Sequence, residues 1–171
     1  MDPSDRLTEL LHSFQRSSWR WECQGHYAVD EAKLQRWRAG LPRDEEARRP
    51  WLGFIHGLRV AGATFERVRM LTEPLTEYLR WMLEGTQHNV EAGEDIRWIQ
   101  QSMARDLGMP AYDFYLFDDQ RVAIMRFDDD KLLTDLEVTD DPTSVERHRA
   151  YRDAIWPQAV RHADYYAPRS T

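Results

Sequence analysis

The stretch Ala111–Phe127, AYDFYLFDDQRVAIMRF, leaves this chain few ways to fold. Two apolar runs, Asp113–Phe117 and Arg121–Phe127, flank Asp118-Asp119-Gln120, a combination that suits a tight hairpin turn. Aromatic and β-branched residues follow one another with few of the polar alternations that a half-wet sheet requires. The run therefore predicts strands covered on both faces, a central hairpin over 113–127 in a layered α/β domain. One charge, Asp113, opens this greasy segment and is the first candidate for a functional residue.

The rest of the chain supplies layers for such a sheet. Leu7, Leu10, Leu11 and Phe14 stand at helical spacing, predicting a helix over Ser4–Phe14. Trp19–Glu22 alternates as a strand, Gln24-Gly25 reads as a turn, and His26–Val29 as a return strand. Asp30 is placed to cap a helix ending near Ala39-Gly40. The charged run Leu41–Arg49 reads as a surface loop, and Pro50 as the first residue of a helix to about Ala61. Thr64–Leu71 is a strand with Val68 and Met70 on one side and Arg67 and Arg69 on the other. A long helix follows Pro74 and ends near Gly93. Asp95–Ile99 is a short strand and Ser102–Leu107 a short helix. After the hairpin come a strand over Leu132–Thr139 and a helix opened by Asp141-Pro142. Alternating strands and helices build a sheet covered by helices. The expectation is an α/β fold of mixed α+β character: one three-layer domain over residues 1–171. Within it, a helix, hairpin and helix from residues 1–49 would pack on a 50–165 core.

Composition narrows the function. A chain of 171 residues suits one domain with a real core. Its net charge of −7 argues against a general nucleic-acid binder, which carries a basic footprint. The single cysteine, Cys23, excludes a disulfide framework and a thiolate metal cluster. The first residues lack the pattern of a signal peptide, and no apolar run of about 18 residues could span a bilayer. A cytoplasmic protein without membrane contact is expected. Six histidines lie scattered without metal-ligand spacing, and neither a phosphate loop nor a nucleophile elbow is present. No metal and no cofactor is expected, and the tryptophans at Trp19 and Trp21 read as core.

From Thr64 onward, the order of elements resembles one half of the phospholipase D superfamily. A strand and helix precede a short strand at Ile96–Ile99, and a Pro-containing break leads into the hairpin that bears the superfamily motif. That motif is His-x-Lys, four residues, then Asp, with Gly-Ser following the next strand. With its aspartate set on Asp118, Ala111 stands at the nucleophilic histidine and Asp113 at the lysine. Met125 and Arg126 fall near the Gly-Ser. Only the aspartate survives, so the resemblance implies a degenerate half that forms no phospho-histidine and turns over no phosphodiester. Such halves serve as sensor or effector domains of bacterial transcription regulators. The whole chain, through RRPWL, TEPLTEYLRW and HNVEAGEDIRWI, is also similar to an actinobacterial family of unknown function whose members are encoded beside helix-turn-helix regulators.

Polar residues on otherwise apolar elements are the candidate ligand-binding set: Arg67, Arg69, Asn89, Arg97 and Asp113. Charges so placed must pair or lie at a mouth, because an unpaired buried charge is costly. Asp113 is expected within hydrogen-bonding reach of Arg69 or Arg97. Two functions stay open. One is a non-catalytic regulatory or accessory protein that binds a partner protein, with a small-ligand pocket. The other is an enzyme using Asp113 as acid or base while Arg69 or Arg97 holds an anionic substrate. The partners so implied are a helix-turn-helix regulator, a small anionic ligand and a second copy of the chain, with no direct contact to nucleic acid.

Overall fold

A computed structural model describes residues 1–166 of the chain; the final part of the expected domain, 167–171, lies outside the described residues. In chain order the elements are α1 (Pro3–Ser13), β1 (Ser17–Glu22), α2 (Glu31–Arg38), α3 (Glu45–Val60), β2 (Thr64–Leu71), α4 (Glu77–Ala92), β3 (Asp95–Gln100), α5 (Gln101–Asp106), β4 (Asp113–Phe117), β5 (Arg121–Phe127), β6 (Leu133–Thr139), α6 (Pro142–Ile155), β7 (Val160–Arg161) and α7 (His162–Tyr165). The strands form one mixed sheet in the order β6-β5-β4-β1-β2-β3-β7. The hairpin β4–β5 is interior, with all of Asp113–Phe117 buried, as its unbroken apolar run predicts.

The strand at the middle of the sheet is β1. It pairs in parallel with β2 and antiparallel with β4. This places the N-terminal segment inside the sheet, where the sequence suggests a separate hairpin packed on a core. Both edges of β1 are taken, so a return strand over His26–Val29 has nothing to pair with. That segment instead makes a 3-10 turn at Ala28–Asp30.

Strand alternation in the sequence SSWRWE sorts β1 between two faces. Trp19 and Trp21 point with Val68, Ile99, Phe114 and Leu116 into a core closed by α5 and α6. Arg20 and Glu22 point to the opposite face, with Arg67, Arg69 and Tyr115. That face carries two apolar clusters, one under α1 and α3 and one under α2 and α4. The polar side chains of β1 and β2 lie between them.

Two local features deserve their physical reason. Helix α3 starts at Glu45, five residues before Pro50, because the Asp44 side chain accepts from the Ala47 amide at 3.0 Å and caps the helix there. Pro50 then sits inside the helix and only forgoes a bond to the Glu46 carbonyl. Asp118 and Asp119 both take positive φ, 54° and 57°, the backbone of a tight turn between twisted strands. The Asp118 carboxylate accepts from the amides of Gln15, Arg16 and Ser17 at 2.9, 2.6 and 2.9 Å. Burial opposes its ionisation, but those three amides hold its pKa below the usual carboxylate range. Asp118 thus clamps the approach to β1. Asp118→Ala is expected to lower unfolding stability by about 1–3 kcal/mol, the usual worth of charge-assisted hydrogen bonds, measured by urea denaturation with the fold checked by circular dichroism.

Two buried histidines contribute to the acid response. His148 on α6 bonds the Ser144 carbonyl through Nδ1 at 2.7 Å, and its Nε2 meets the Tyr112 hydroxyl at 3.0 Å. His162 accepts the Trp98 indole N–H at 3.0 Å. Burial is the first cause that lowers the pKa of each below the free imidazole value. A group with a depressed folded pKa is protonated more readily in the unfolded chain, so its contribution to stability fades as pH falls. The melting temperature is therefore expected to drop as pH falls below about 6.5, the free histidine value. His148→Gln should flatten that slope, and an unchanged pH profile in the variant would show that His148 plays no part.

Candidate functional site

The polar face of β1 and β2 holds an ion network that is almost wholly buried. Glu22 Oε2 accepts from Arg67 Nη1 at 3.1 Å and from Arg69 Nε at 2.8 Å. Arg67 Nε reaches Glu94 at 2.8 Å, whose second oxygen accepts from Asn89 at 3.0 Å. Arg69 Nη1 donates to the Thr86 hydroxyl at 2.8 Å. Burial opposes ionisation of Glu22, yet Arg20, then Arg69 and Arg67, hold its carboxyl far below the ordinary range. Burial likewise works against the charge on Arg20, but Glu22 and then Tyr115, Tyr27 and Asp113 raise its pKa.

Asp113 is fully buried at the edge of this network. Its partners are Tyr27 Oη at 2.5 Å, the Cys23 amide at 3.0 Å, and Arg20 Nη2 and the Gln24 amide nitrogen, each at 3.3 Å. The expected arginine is thus Arg20, and neither Arg69 nor Arg97 is its partner. Arg69 is already engaged by Glu22. Arg97 lies on the other face of the sheet, beside Val68 in register, where it pairs with Asp95 at 3.1 Å and stacks 3.6 Å over the Trp156 ring. Burial, the largest influence, lifts the Asp113 pKa above its usual value against the pull of Arg20 and Tyr27. Burial and then Asp113 push the Cys23 thiol up strongly, which removes it as a nucleophile.

Above the network is a cavity of about 450 Å³ between the two apolar clusters. Arg67, Arg69 and Asn89 from the candidate set line it; Arg97 and Asp113 do not. Its walls carry seven basic side chains, Arg20, Lys33, Arg36, Arg43, Arg48, Arg67 and Arg69, against two acidic ones, Asp30 and Asp44. Glu22, Glu94 and Asp113 neutralise Arg67, Arg69 and Arg20 from beneath, and Asp30 pairs with Lys33 at 3.1 Å. Among the described residues, Arg36, Arg43 and Arg48 have no hydrogen-bonded carboxylate. Among those residues, too, Arg36 and Arg43 donate to carbonyls alone, of Pro42 at 3.1 Å and Trp81 at 2.7 Å. Arg48 donates to the Gly85 carbonyl at 3.1 Å and stands 3.8 Å from the exposed Glu45. Burial and then the neighbouring Arg48 charge lower the pKa of Arg43, against a smaller opposing pull from Glu84 and Glu45.

Another cleft, beside α1 and the β4–β5 turn, is lined by Asp118, Asp119 and Asp140, and the first two are already engaged. Asp118 holds backbone amides and Asp119 pairs with Arg152. Among the described residues, no three His, Cys, Asp or Glu side chains are placed to hold a metal ion, and no helix is long and apolar enough to cross a membrane.

The chain belongs to the family described as a domain of unknown function, DUF6879, which it matches over residues 5–167. None of the curated proteins matches it. Among solved structures it is similar to TrmBL2, whose report is titled "Structure of TrmBL2, an archaeal chromatin protein, shows a novel mode of DNA binding", at a TM-score of 0.52 and 10% identity. The similarity covers 92% of this chain and 50% of that one, so this chain spans about half its length. At that identity the likeness is one of fold. It nevertheless corrects the expectation of no direct contact with nucleic acid, because a DNA-binding chromatin protein carries a fold of this kind. The physical flaw in that expectation is averaging: a net charge of −7 says nothing about where the cations of a chain are gathered.

Sequence reasoning missed Arg20 and Glu22, although their alternation with Trp19 and Trp21 marks a polar strand face. It also missed Arg43 and Arg48, which sit in a run that reads as a solvated loop. For Asp113, removal leaves Arg20 buried beside a void. Asp113→Ala is expected to cost about 3–5 kcal/mol of stability, as for other broken buried pairs, while Asp113→Asn, which can still take the Tyr27 and Cys23 hydrogen bonds, costs less. Urea denaturation of both variants checks the order.

Proposed function

We propose that this chain is a non-catalytic regulatory or accessory domain that holds a small anionic ligand in the arginine-lined cavity. One observation carries the reading: three guanidiniums, Arg36, Arg43 and Arg48, face the cavity without a hydrogen-bonded carboxylate, in a chain of net charge −7. Among the described residues, only Arg48 of the three has a carboxylate in ion-pair range, the exposed Glu45 at 3.8 Å, so gathering these cations on a partly buried wall costs Coulomb energy that a bound anion offsets. Arginine forks match carboxylate and phosphate oxygens in pairs. The cavity volume lies in the range of about 300–1,000 Å³ that suits small molecules.

The second reading, an enzyme using Asp113 as acid or base, has less support. Asp113 is fully buried, bonded on several sides, and does not line the cavity. A general base must reach the proton that it takes. A sensing role agrees instead with the resemblance to degenerate phospholipase D-like halves of bacterial regulators, and with the helix-turn-helix neighbours expected for an actinobacterial family. Occupancy of the cavity would then be read out by a protein that the domain contacts.

The test is a thermal-shift and calorimetric titration with inorganic phosphate, sulfate and citrate at constant ionic strength, with a duplex oligonucleotide as a separate arm. A ligand at 100 times its Kd should stabilise the fold by about 2.7 kcal/mol. Arg48→Gln should abolish most of the shift. Absence of any anion effect in the native protein, or an effect untouched by Arg48→Gln, would reject the reading. Salt-sensitive binding of duplex DNA without any response to small anions would make this a nucleic-acid-binding surface instead.

A further inference from the structure

The arginine-lined cavity also has an apolar side, and the two together specify more than an anion. Arg43 and Arg48 reach α4 from the start of α3 and donate to the carbonyls of Trp81 and Gly85, one helical turn apart. Each spends one nitrogen on a carbonyl and keeps others for a ligand. Arg48 Nη1 is buried and has no hydrogen-bond partner among the described residues; the exposed Glu45 carboxylate, at 3.8 Å, is too far to accept from it. A buried donor left without a partner is costly, and a ligand oxygen is a ready remedy. Arg43 lies flat against α4 because residue 85 is glycine: a Cβ there would stand 2.5 Å from the Arg43 Cζ. Its guanidinium carbon also lies 5.2 Å from the centre of the Trp81 ring, within cation–π range.

Two fixed, adjacent guanidiniums make a subsite for a doubly charged tetrahedral anion. Inorganic phosphate alone would fill a small part of 450 Å³. The remainder is walled by Leu7, Leu11, Leu41, Met82 and the half-buried rings of Trp37 and Trp51. Such a wall suits a planar aromatic body, which gains from stacking as well as from burial.

Resting on the reading of this cavity as an anion site, we propose that its ligand is a phosphate monoester of a ring-bearing molecule, of the nucleoside 5′-monophosphate class. The phosphate lies on Arg43 and Arg48, and the base lies toward Trp37 and Trp51. The same group occurs free or at the 5′ end of a single strand, and a cavity of about 450 Å³, sized for one small molecule, favours the free form.

Calorimetry with the full chain tests this, using each of the four nucleoside 5′-monophosphates, the four nucleosides, inorganic phosphate, citrate, and a short single strand with or without a 5′-phosphate. At least one monophosphate should bind 10-fold or more tightly than inorganic phosphate, citrate and its own nucleoside. Arg43→Gln or Arg48→Gln should remove that advantage while leaving nucleoside binding unchanged. Gly85→Ala is the variant that separates binding from folding. It places a better helix former in α4 yet displaces Arg43, so the melting temperature should hold or rise while monophosphate affinity falls 10-fold or more. If phosphate or citrate binds as well as every monophosphate, the ligand class is wrong and the anion site survives. If no anion binds at all, both fail. Undiminished monophosphate binding in Gly85→Ala overturns the Arg43 subsite, and preference for the 5′-phosphorylated strand over all free monophosphates overturns the free-ligand form.

Discussion

Glu22 is the residue on which the polar interior depends. Its carboxylate, buried in the middle of the sheet, takes two arginines from β2 while the Arg20 guanidinium stands 3.7 Å away. A buried ion cluster rarely adds net stability over an apolar one of the same shape, but removing one member leaves the others stranded. Its physical effect here is positional. Three guanidiniums and three carboxylates, spread over β1, β2, β4 and the α4–β3 connection, can be satisfied together only in one register of β1 between β2 and β4. The tryptophans on the other face of β1 agree with that register, since a slip of one residue would exchange Trp19 and Trp21 for Arg20 and Glu22.

The cavity follows from the same arrangement. Side chains that must keep hydrogen-bond partners cannot be packed over like an apolar surface, so the helices on that face form two clusters with a gap between them. Arg43 and Arg48 bridge the gap from α3 to the backbone of α4. The network beneath is neutral and the rim is cationic. A domain of this build has a hydrogen-bonded floor and a cationic rim, and the proposed ligand site would divide its labour in that way.

A share of this was legible in the sequence. The boundaries of β2, β4 and β5 and the caps at Asp141 and Gly93 follow from local pattern, because turn chemistry and side-chain alternation act over a few residues. The opposed faces of Val68 and Arg67 follow from the period of a strand. The start of α3 was not legible, since Pro50 is a strong local signal and Asp44 competes with it from within a charged run. The return strand over His26–Val29 has good local propensity and no edge to pair with.

The sequence by itself determined that this is one layered α/β domain with a buried hairpin at 113–127, because an unbroken apolar run has no other stable place. It also determined that Arg67 and Arg69 had to find partners, because two charges on one strand face cannot be left dry. Tertiary structure alone decided which partners. Arg20 meets Asp113 across 93 residues and Arg67 meets Glu22 across 45, and Arg97 is turned to the other face by the alternation of β3. It alone brought Arg43 and Arg48 to a cavity, by way of a glycine in α4 that permits close approach. Local pattern records which groups need satisfying; only the packing of distant segments sets which groups satisfy them.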